Sequence, residues 1–116
     1  MNIGLIGYGY WGPNLLRNFV NTANCCVKTV ADMRDNRLGI IKKTYPSIHV
    51  TANADDIIKD KAIDAVVIAT NVHSHYRYGK NALENGKHVL IEKPFTGSLK
   101  NAMELIDIAS KNNLLL

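Results

Sequence analysis

Three features of this 116-residue chain have the residue types and spacing to do chemistry on a ligand: a glycine triplet, an acid after a second strand, and a lysine between an acid and a proline. Gly7, Gly9 and Gly12 stand at G-x-G-x-x-G spacing directly after the apolar stretch Ile3, Leu5, Ile6. In such a turn the first glycine permits the bend out of a strand. The second keeps side-chain atoms away from a pyrophosphate, and the third lets the following helix approach the sheet. That helix start offers unpaired N–H groups and the positive end of a dipole to the phosphates. Asp32 lies 20 residues beyond Gly12. A carboxylate there accepts hydrogen bonds from both hydroxyls of an adenosine ribose and repels a 2′-phosphate, which favours NAD. Arg34 and Arg37 follow closely enough to offer a phosphate clamp, so NADP stays open as the alternative. A plain strand-end or helix-cap acid is the competing reading of Asp32. Glu92-Lys93-Pro94 closes a fifth apolar run, where Lys93 could donate to a substrate hydroxyl or steady a developing alkoxide. Alone, the tripeptide reads more readily as a solvated turn.

These residues need a frame, and the pattern between them supplies one. The spacing predicts a helix from about Trp11 to Asn21, with Pro13 in its first turn and Leu15, Leu16, Phe19 and Val20 inward. A second strand follows over Cys26–Asp32. A helix capped by Asp35 or Asn36 ends by Tyr45, before Pro46. His49–Thr51 form a short strand, and Asp55–Lys59 a brief helix with Ile57 and Ile58 inward. Ala65–Ala69 is an uninterrupted apolar run, as in a parallel strand covered on both faces. A helix from about His73 to Glu84 stops at Asn85-Gly86. His88–Ile91 make the fifth strand. Ser98 caps a last helix whose inward line is read as Leu99, Ala102, Met103, Ile106 and Ala109. Leu114-Leu115-Leu116 look like the opening of a short sixth strand. Strand and helix alternate throughout, so the expected fold is one doubly wound α/β domain over 1–116, a Rossmann sheet of order 3-2-1-4-5 with helices on both faces.

At the ends of those strands lie further candidates. Tyr10 and Trp11 sit in the glycine turn, either lining the ligand or packing on neighbouring loops. Met33 and Arg34 follow Asp32 on the adenosine side. Thr70 and Asn71 end the fourth strand, at the crevice where such sheets bind ligands. His73 and His75 point about 200° apart on a helix, so they share no metal face, and no metal is expected. His75 is read as lying beside the cofactor or capping its helix.

Bulk composition excludes several classes. With 47% apolar and 21% charged residues the chain reads as an ordinary globular domain. The net charge of +4 is spread among 10 acids and 14 bases. Arg34, Arg37, Lys42 and Lys43 read as a solvated helix face, since no aromatic platform accompanies them, and no nucleic acid is expected. No apolar run is long enough to span a bilayer. Adjacent Cys25 and Cys26 fit neither a redox nor a metal motif, and a cytoplasmic protein is expected.

Taken together the motifs resemble the N-terminal domain of the glucose–fructose oxidoreductase / inositol dehydrogenase / MocA family. The resemblance rests on Gly7-Tyr8-Gly9-Tyr10-Trp11-Gly12-Pro13-Asn14, on Val30-Ala31-Asp32, on Val67-Ile68-Ala69-Thr70 with His75, and on Gly86-Lys87-His88-Val89-Leu90-Ile91-Glu92-Lys93-Pro94. It implies an NAD(P)-dependent oxidoreductase passing a hydride between a sugar, nucleotide-sugar or polyol hydroxyl and the nicotinamide. It further implies Gly7, Gly9 and Gly12 on the pyrophosphate, Asp32 on the adenosine ribose, and Thr70 and Asn71 near the nicotinamide half. Glu92 and Lys93 would lie at the nicotinamide ribose and substrate, with Lys93 the catalytic assistant, and a cis peptide often precedes Pro94. Asn71 departs from the proline common after that threonine. In the family a second, substrate-binding α+β domain follows. None is present in these 116 residues, so cofactor binding without turnover is expected of them, along with self-association through the fifth strand, last helix or leucine tail. A non-catalytic dinucleotide-binding or sensing module is the reading of a different class.

Overall fold

A computed structural model describes residues 1–116. Strands β1 (Asn2–Ile6), β2 (Cys26–Ala31), β3 (His49–Thr51), β4 (Ala65–Ile68) and β5 (His88–Ile91) alternate with helices α1 (Gly12–Val20), α2 (Asp35–Thr44), α3 (Asp55–Ile58), α4 (Val72–Glu84) and α5 (Leu99–Lys111). The strands form one five-stranded sheet in the order β3-β2-β1-β4-β5, every neighbour parallel. This is the doubly wound sheet expected from the alternation of elements, and it brings the carboxyl ends of all the strands to one edge.

Period-2 alternation divides the core between the two faces of the sheet. Ile3 and Leu5 of β1 and Val67 of β4 join Leu16 of α1 and Ile41 of α2 on one side. Ile6, Val66 and Ile68 join Ile57 of α3, Ala82 and Leu83 of α4, and Leu105 of α5 on the other. A register shift in the β1–β2 pair takes up Lys28 as an extra residue. That shift is why Val27 and Val30, three positions apart, share a face. Gly4 must stay small because any side chain there would run into Ile57 of α3. Buried Lys87 donates its ammonium to the carbonyls of Asp60 (2.6 Å) and Ile63 (2.7 Å), pinning the α3–β4 connection.

The structure differs from the sequence expectation in several places. Arg34, rather than Asp35 or Asn36, is the N-cap residue of α2, and Val20 of α1, read as inward, is 41% exposed. The face of α5 is rotated. Leu105 is fully buried and Ala109 nearly so, whereas Leu99 (76% exposed), Met103 (62%) and Ile106 (56%) point outward. This helix carries two apolar stripes, Leu99-Met103-Ile106 and Ala102-Leu105-Ala109, so its periodicity cannot choose between them. Docking on α4 and the sheet selects the second. Leu114–Leu116 form no sixth strand. Asn113, at φ +53°, ends α5 in the left-handed region, and Leu114 N–H donates back to Ala109. One backbone bond then joins the tail to β5, from Val89 N–H to the Leu115 carbonyl at 2.9 Å. An apolar groove of about 820 Å³ runs beside β5 and α5, lined in part by Leu90, Phe95, Ile106 and Leu115.

Replacing Leu105 by Ala should therefore destabilise the chain by about 2–5 kcal/mol, whereas Met103→Glu should stay within about 0.5 kcal/mol of wild type. Urea unfolding monitored by circular dichroism reads both, and the reverse ranking would show that the other face of α5 is buried.

Candidate functional site

The site grows from the exit of β1. Gly7 leaves the strand at φ +98°, and a Cβ there would lie 2.7 Å from the Ala69 carbonyl oxygen of the neighbouring strand exit. A Cβ on Gly12 would lie 2.6 Å from the Gly7 carbonyl oxygen, so the start of α1 sits directly on the turn. The protein's own packing thus demands both glycines. Gly9 is different. Its backbone is outside the left-handed region, and a Cβ there would meet only the Arg34 Nη2, at 3.9 Å. Nothing within the fold needs Gly9 to lack a side chain, and the space it leaves opens into a cleft.

Asp32 holds the turn from the other side. It follows β2, is 8% exposed, and its Oδ2 accepts the Tyr8 N–H at 2.7 Å. The side chain of Arg34 grips the carboxylate with both arms of its fork, Nε to Oδ1 and Nη2 to Oδ2, each at 2.8 Å. The Arg34 backbone N–H adds a bond to Oδ1 at 3.0 Å. Burial is the largest single influence on this carboxyl and pushes its pKa upward. The Arg34 guanidinium and the Tyr8 and Arg34 N–H groups together outweigh it, and Asp32 is held below its ordinary value.

The cleft, about 550 Å³, is lined by the glycine turn (Gly7, Gly9, Tyr10), the β2 exit (Asp32, Met33, Arg34), Ala52 and Ala54 after β3, and Ala69, Thr70 and Asn71 after β4. Ser74, Arg77 and Tyr78 of α4 form its far wall, with the Arg77 guanidinium 4.7 Å from the centre of the Tyr78 ring. The residues that precede α1, α2 and α4 beside the cleft make no side-chain cap, whereas Ser98 caps α5 further along the same edge. Uncapped helix starts leave N–H groups for an anion. Room at Gly9, an ionised acid and free helix N-termini together suit a dinucleotide.

Of the sequence-derived candidates, Gly7, Gly9, Tyr10, Asp32, Met33, Arg34, Thr70 and Asn71 line this one cleft. Gly12 supports it from beneath. Trp11 stands edge-on to Tyr10, ring centres 5.6 Å apart, and packs on it rather than lining the cleft. Neighbouring Tyr8 belongs to the core, where burial raises its phenol pKa. Arg37 does not reach the lining. His75 is 1% exposed and lies behind the cleft, neither lining it nor capping α4. Its ring lies between the turns after β5 and β4, with Nδ1 2.9 Å from the Pro94 carbonyl and Nε2 3.0 Å from the Thr70 carbonyl, and the tautomer decides which of the two accepts its N–H. Glu92, Lys93 and Pro94 stand at the same sheet edge, outside the cleft lining. The Lys93–Pro94 bond is cis, and Lys93 N–H donates to Glu92 Oε2 at 3.2 Å. Ala52, Ala54, Ser74, Arg77 and Tyr78 were not foreseen. Asn71, Ser74 and Tyr78 fall at i, i+3, i+7, so helical spacing from the strand exit could have located part of that wall.

Fold and cleft define a Rossmann-type dinucleotide-binding domain. A model of the oxidoreductase family with an NAD-binding Rossmann fold, Gfo/Idh/MocA, matches residues 1–116, and the chain belongs to that family. It is 33% identical over 109 residues to the Escherichia coli oxidoreductase YdgJ, covering 94% of this chain and 31% of that protein. It is 25% identical over 116 residues to the scyllo-inositol 2-dehydrogenase (NADP(+)) IolW of Bacillus subtilis, covering 100% of this chain and 32% of that one. A crystal structure of an oxidoreductase from Bacteroides fragilis superposes with a TM-score of 0.94 at 29% identity, covering 100% of this chain and 34% of that one. The chain thus spans about a third of the length of these relatives. It is an NAD(P)-binding domain, and no helix in it is long and apolar enough to cross a membrane.

A carboxyl whose folded-state pKa is depressed stabilises the fold above its unfolded value, about 3.9, and that contribution disappears as pH falls through the folded value. Asp32→Asn should cost about 1–2 kcal/mol at pH 7, an amount reduced by the half-exposed position of Arg34. The gap to wild type should close in acid. Urea unfolding of both proteins from pH 7 down to 2.5 measures it, and a gap independent of pH would contradict the arrangement.

Proposed function

We propose that this chain is the cofactor-binding part of an oxidoreductase that passes a hydride between a sugar, nucleotide-sugar or polyol hydroxyl and a nicotinamide, with NAD the preferred dinucleotide. The observation that carries the reading is Gly9. It has no side chain although the fold has room for one, and it lines the same cleft as the ionised Asp32 and its partner Arg34. A ligand accounts for that vacancy, and an internal packing demand does not. Gly7, Gly9 and Gly12 would hold the pyrophosphate against the start of α1, and Asp32 would accept from the adenosine ribose. Thr70 and Asn71 would border the path toward the nicotinamide.

The cofactor supplies the carbon that takes or gives the hydride, and the chain's own contribution is binding, orientation and proton handling. Lys93, exposed at the end of β5 beside Glu92, would donate to the substrate hydroxyl oxygen and assist removal of its proton, with the proton acceptor supplied by the longer protein. General acid–base assistance of that kind is worth about 10²–10⁴ in rate. His75, buried between the turns after β4 and β5, would help to hold them at a fixed separation. The polyol class is supported by the inositol substrate in the name of the Bacillus subtilis relative. Since these 116 residues span about a third of such relatives, they are proposed to bind cofactor and to leave turnover to the longer protein.

Titration calorimetry of NAD into wild type and Gly9→Val tests the reading. Wild type should bind. The variant should melt at nearly the same temperature, because its added atoms face open space, and should bind at least about tenfold more weakly, a loss of ~1.4 kcal/mol. Absence of binding by folded wild type, or equal binding by both, would overturn it.

A further inference from the structure

Buried His75 faces an acceptor at each end of its ring. Nδ1 lies 2.9 Å from the Pro94 carbonyl oxygen and Nε2 3.0 Å from the Thr70 carbonyl oxygen. A neutral imidazole carries one N–H and one lone pair, whereas the imidazolium carries two N–H groups. In the neutral form one of the two contacts therefore sets a lone pair against a carbonyl oxygen. Turning the ring over changes nothing, because a carbonyl stands on either side. Only the doubly protonated ring satisfies both. The two carbonyls depend on it in turn, since no backbone N–H of the chain reaches the Thr70 or the Pro94 oxygen.

We propose that His75 is a proton-operated brace between the turns after β4 and β5. As imidazolium it holds both turns, and as neutral imidazole it releases one of them. Thr70 and Asn71 of the first turn line the cleft, and Pro94 of the second directly follows Lys93. His75 is thus a positioning residue, setting Lys93 against the cleft wall. That consequence rests on the dinucleotide reading of the cleft, whereas the brace itself does not. An imidazole changes charge between about pH 5 and 8. The brace is closed at the acid end of that range and opens as pH rises through it. No carboxylate bonds to the ring, so the two carbonyls are what its second proton gains. On α4, His73 and Arg77 stand about 200° round the helix from His75, both exposed. Tyr76 and Lys80 donate to Glu104 of α5, and the other charges of α5, Lys100, Asp107 and Lys111, are exposed. After β5, Glu92 accepts the Lys93 N–H. The β4 strand and its exit carry no charge.

Nitrogen-15 spectra of the imidazole ring and the backbone amides, recorded on the nucleotide-free chain from about pH 5 to about pH 8.5, test the brace. Both ring nitrogens of His75 should carry protons at the acid end and only one at the alkaline end. The Asn71 and Phe95 amides share peptide units with the two carbonyls, and both should shift along the same one-proton curve as the ring. His75→Gln keeps a donor and an acceptor but does not titrate, and it should abolish the curve at both amides. His73→Gln should leave the curve in place. A ring holding the same number of protons throughout would overturn the brace, and that measurement needs only wild type. So would amides that do not follow the ring, a curve that survives His75→Gln, or one lost in His73→Gln. NAD added to the same samples separates the two readings: failure to bind would remove the cofactor reading and leave a titrating brace standing.

Discussion

A single hydrogen bond from the Tyr8 N–H to the buried carboxylate of Asp32 ties the glycine turn to the end of β2. It adds to the backbone bond from Gly7 N–H to the Ala31 carbonyl at 2.8 Å and to the burial of the Tyr8 ring in the core. With it, the loop that would cradle the phosphates and the acid that would hold the ribose become one rigid unit. The bond also forces Asp32 to be ionised in a largely dry place, because a carboxylate accepting several N–H donors is favoured over its protonated form. A cation beside it follows from that, and Arg34 supplies it. The electrostatics of the cleft therefore descend from a backbone constraint.

The sheet makes this constraint available at one edge. Parallel strands with right-handed crossovers deliver the exits of β1, β2 and β4 side by side, while the helices cover both faces. Packing on the α3–α4–α5 side is tight enough that Gly4 and Gly79 cannot carry a Cβ without moving Ile57 or Ile91. On that same face, α4 and α5 are joined through Glu104, which accepts from Tyr76 Oη at 2.8 Å and Lys80 Nζ at 2.7 Å. The rigid region thus lies behind the cleft, and the movable groups, Tyr10, Met33 and Arg34, are exposed at its mouth.

The parts of this architecture visible in the sequence are those set by local constraints. The glycine triplet and the continuous apolar run of β4 are short-range signals, and strand positions such as His49–Thr51 and His88–Ile91 agree with the structure to the residue. The buried face of α5 was legible only in part: Ala102 and Ala109 are read as inward from the sequence, but Leu105 is not, because Leu99, Met103 and Ile106 form as good a stripe as Ala102, Leu105 and Ala109. Only tertiary packing separates them. The far wall of the cleft was missed for a related reason. Ala52, Ala54 and Tyr78 carry no motif of their own and gain their place because the loop after β3 and the helix α4 both border the cleft. His75 was legible as a residue near the site, but a ring joining two carbonyls from separate turns depends on geometry that spacing cannot supply.

The central claim is that one cleft, between the glycine turn, the β2 exit and α4, is the seat of the dinucleotide. Its most direct test is a titration of NAD into the ¹⁵N-labelled chain followed by amide chemical shifts. The account predicts saturable shifts centred on Gly7, Tyr8, Gly9, Arg34 and Asn71, with Leu90 and Ile106 beside the apolar groove unmoved. Shifts concentrated at Leu90 and Ile106, or no shifts anywhere in a well-folded spectrum, would contradict it.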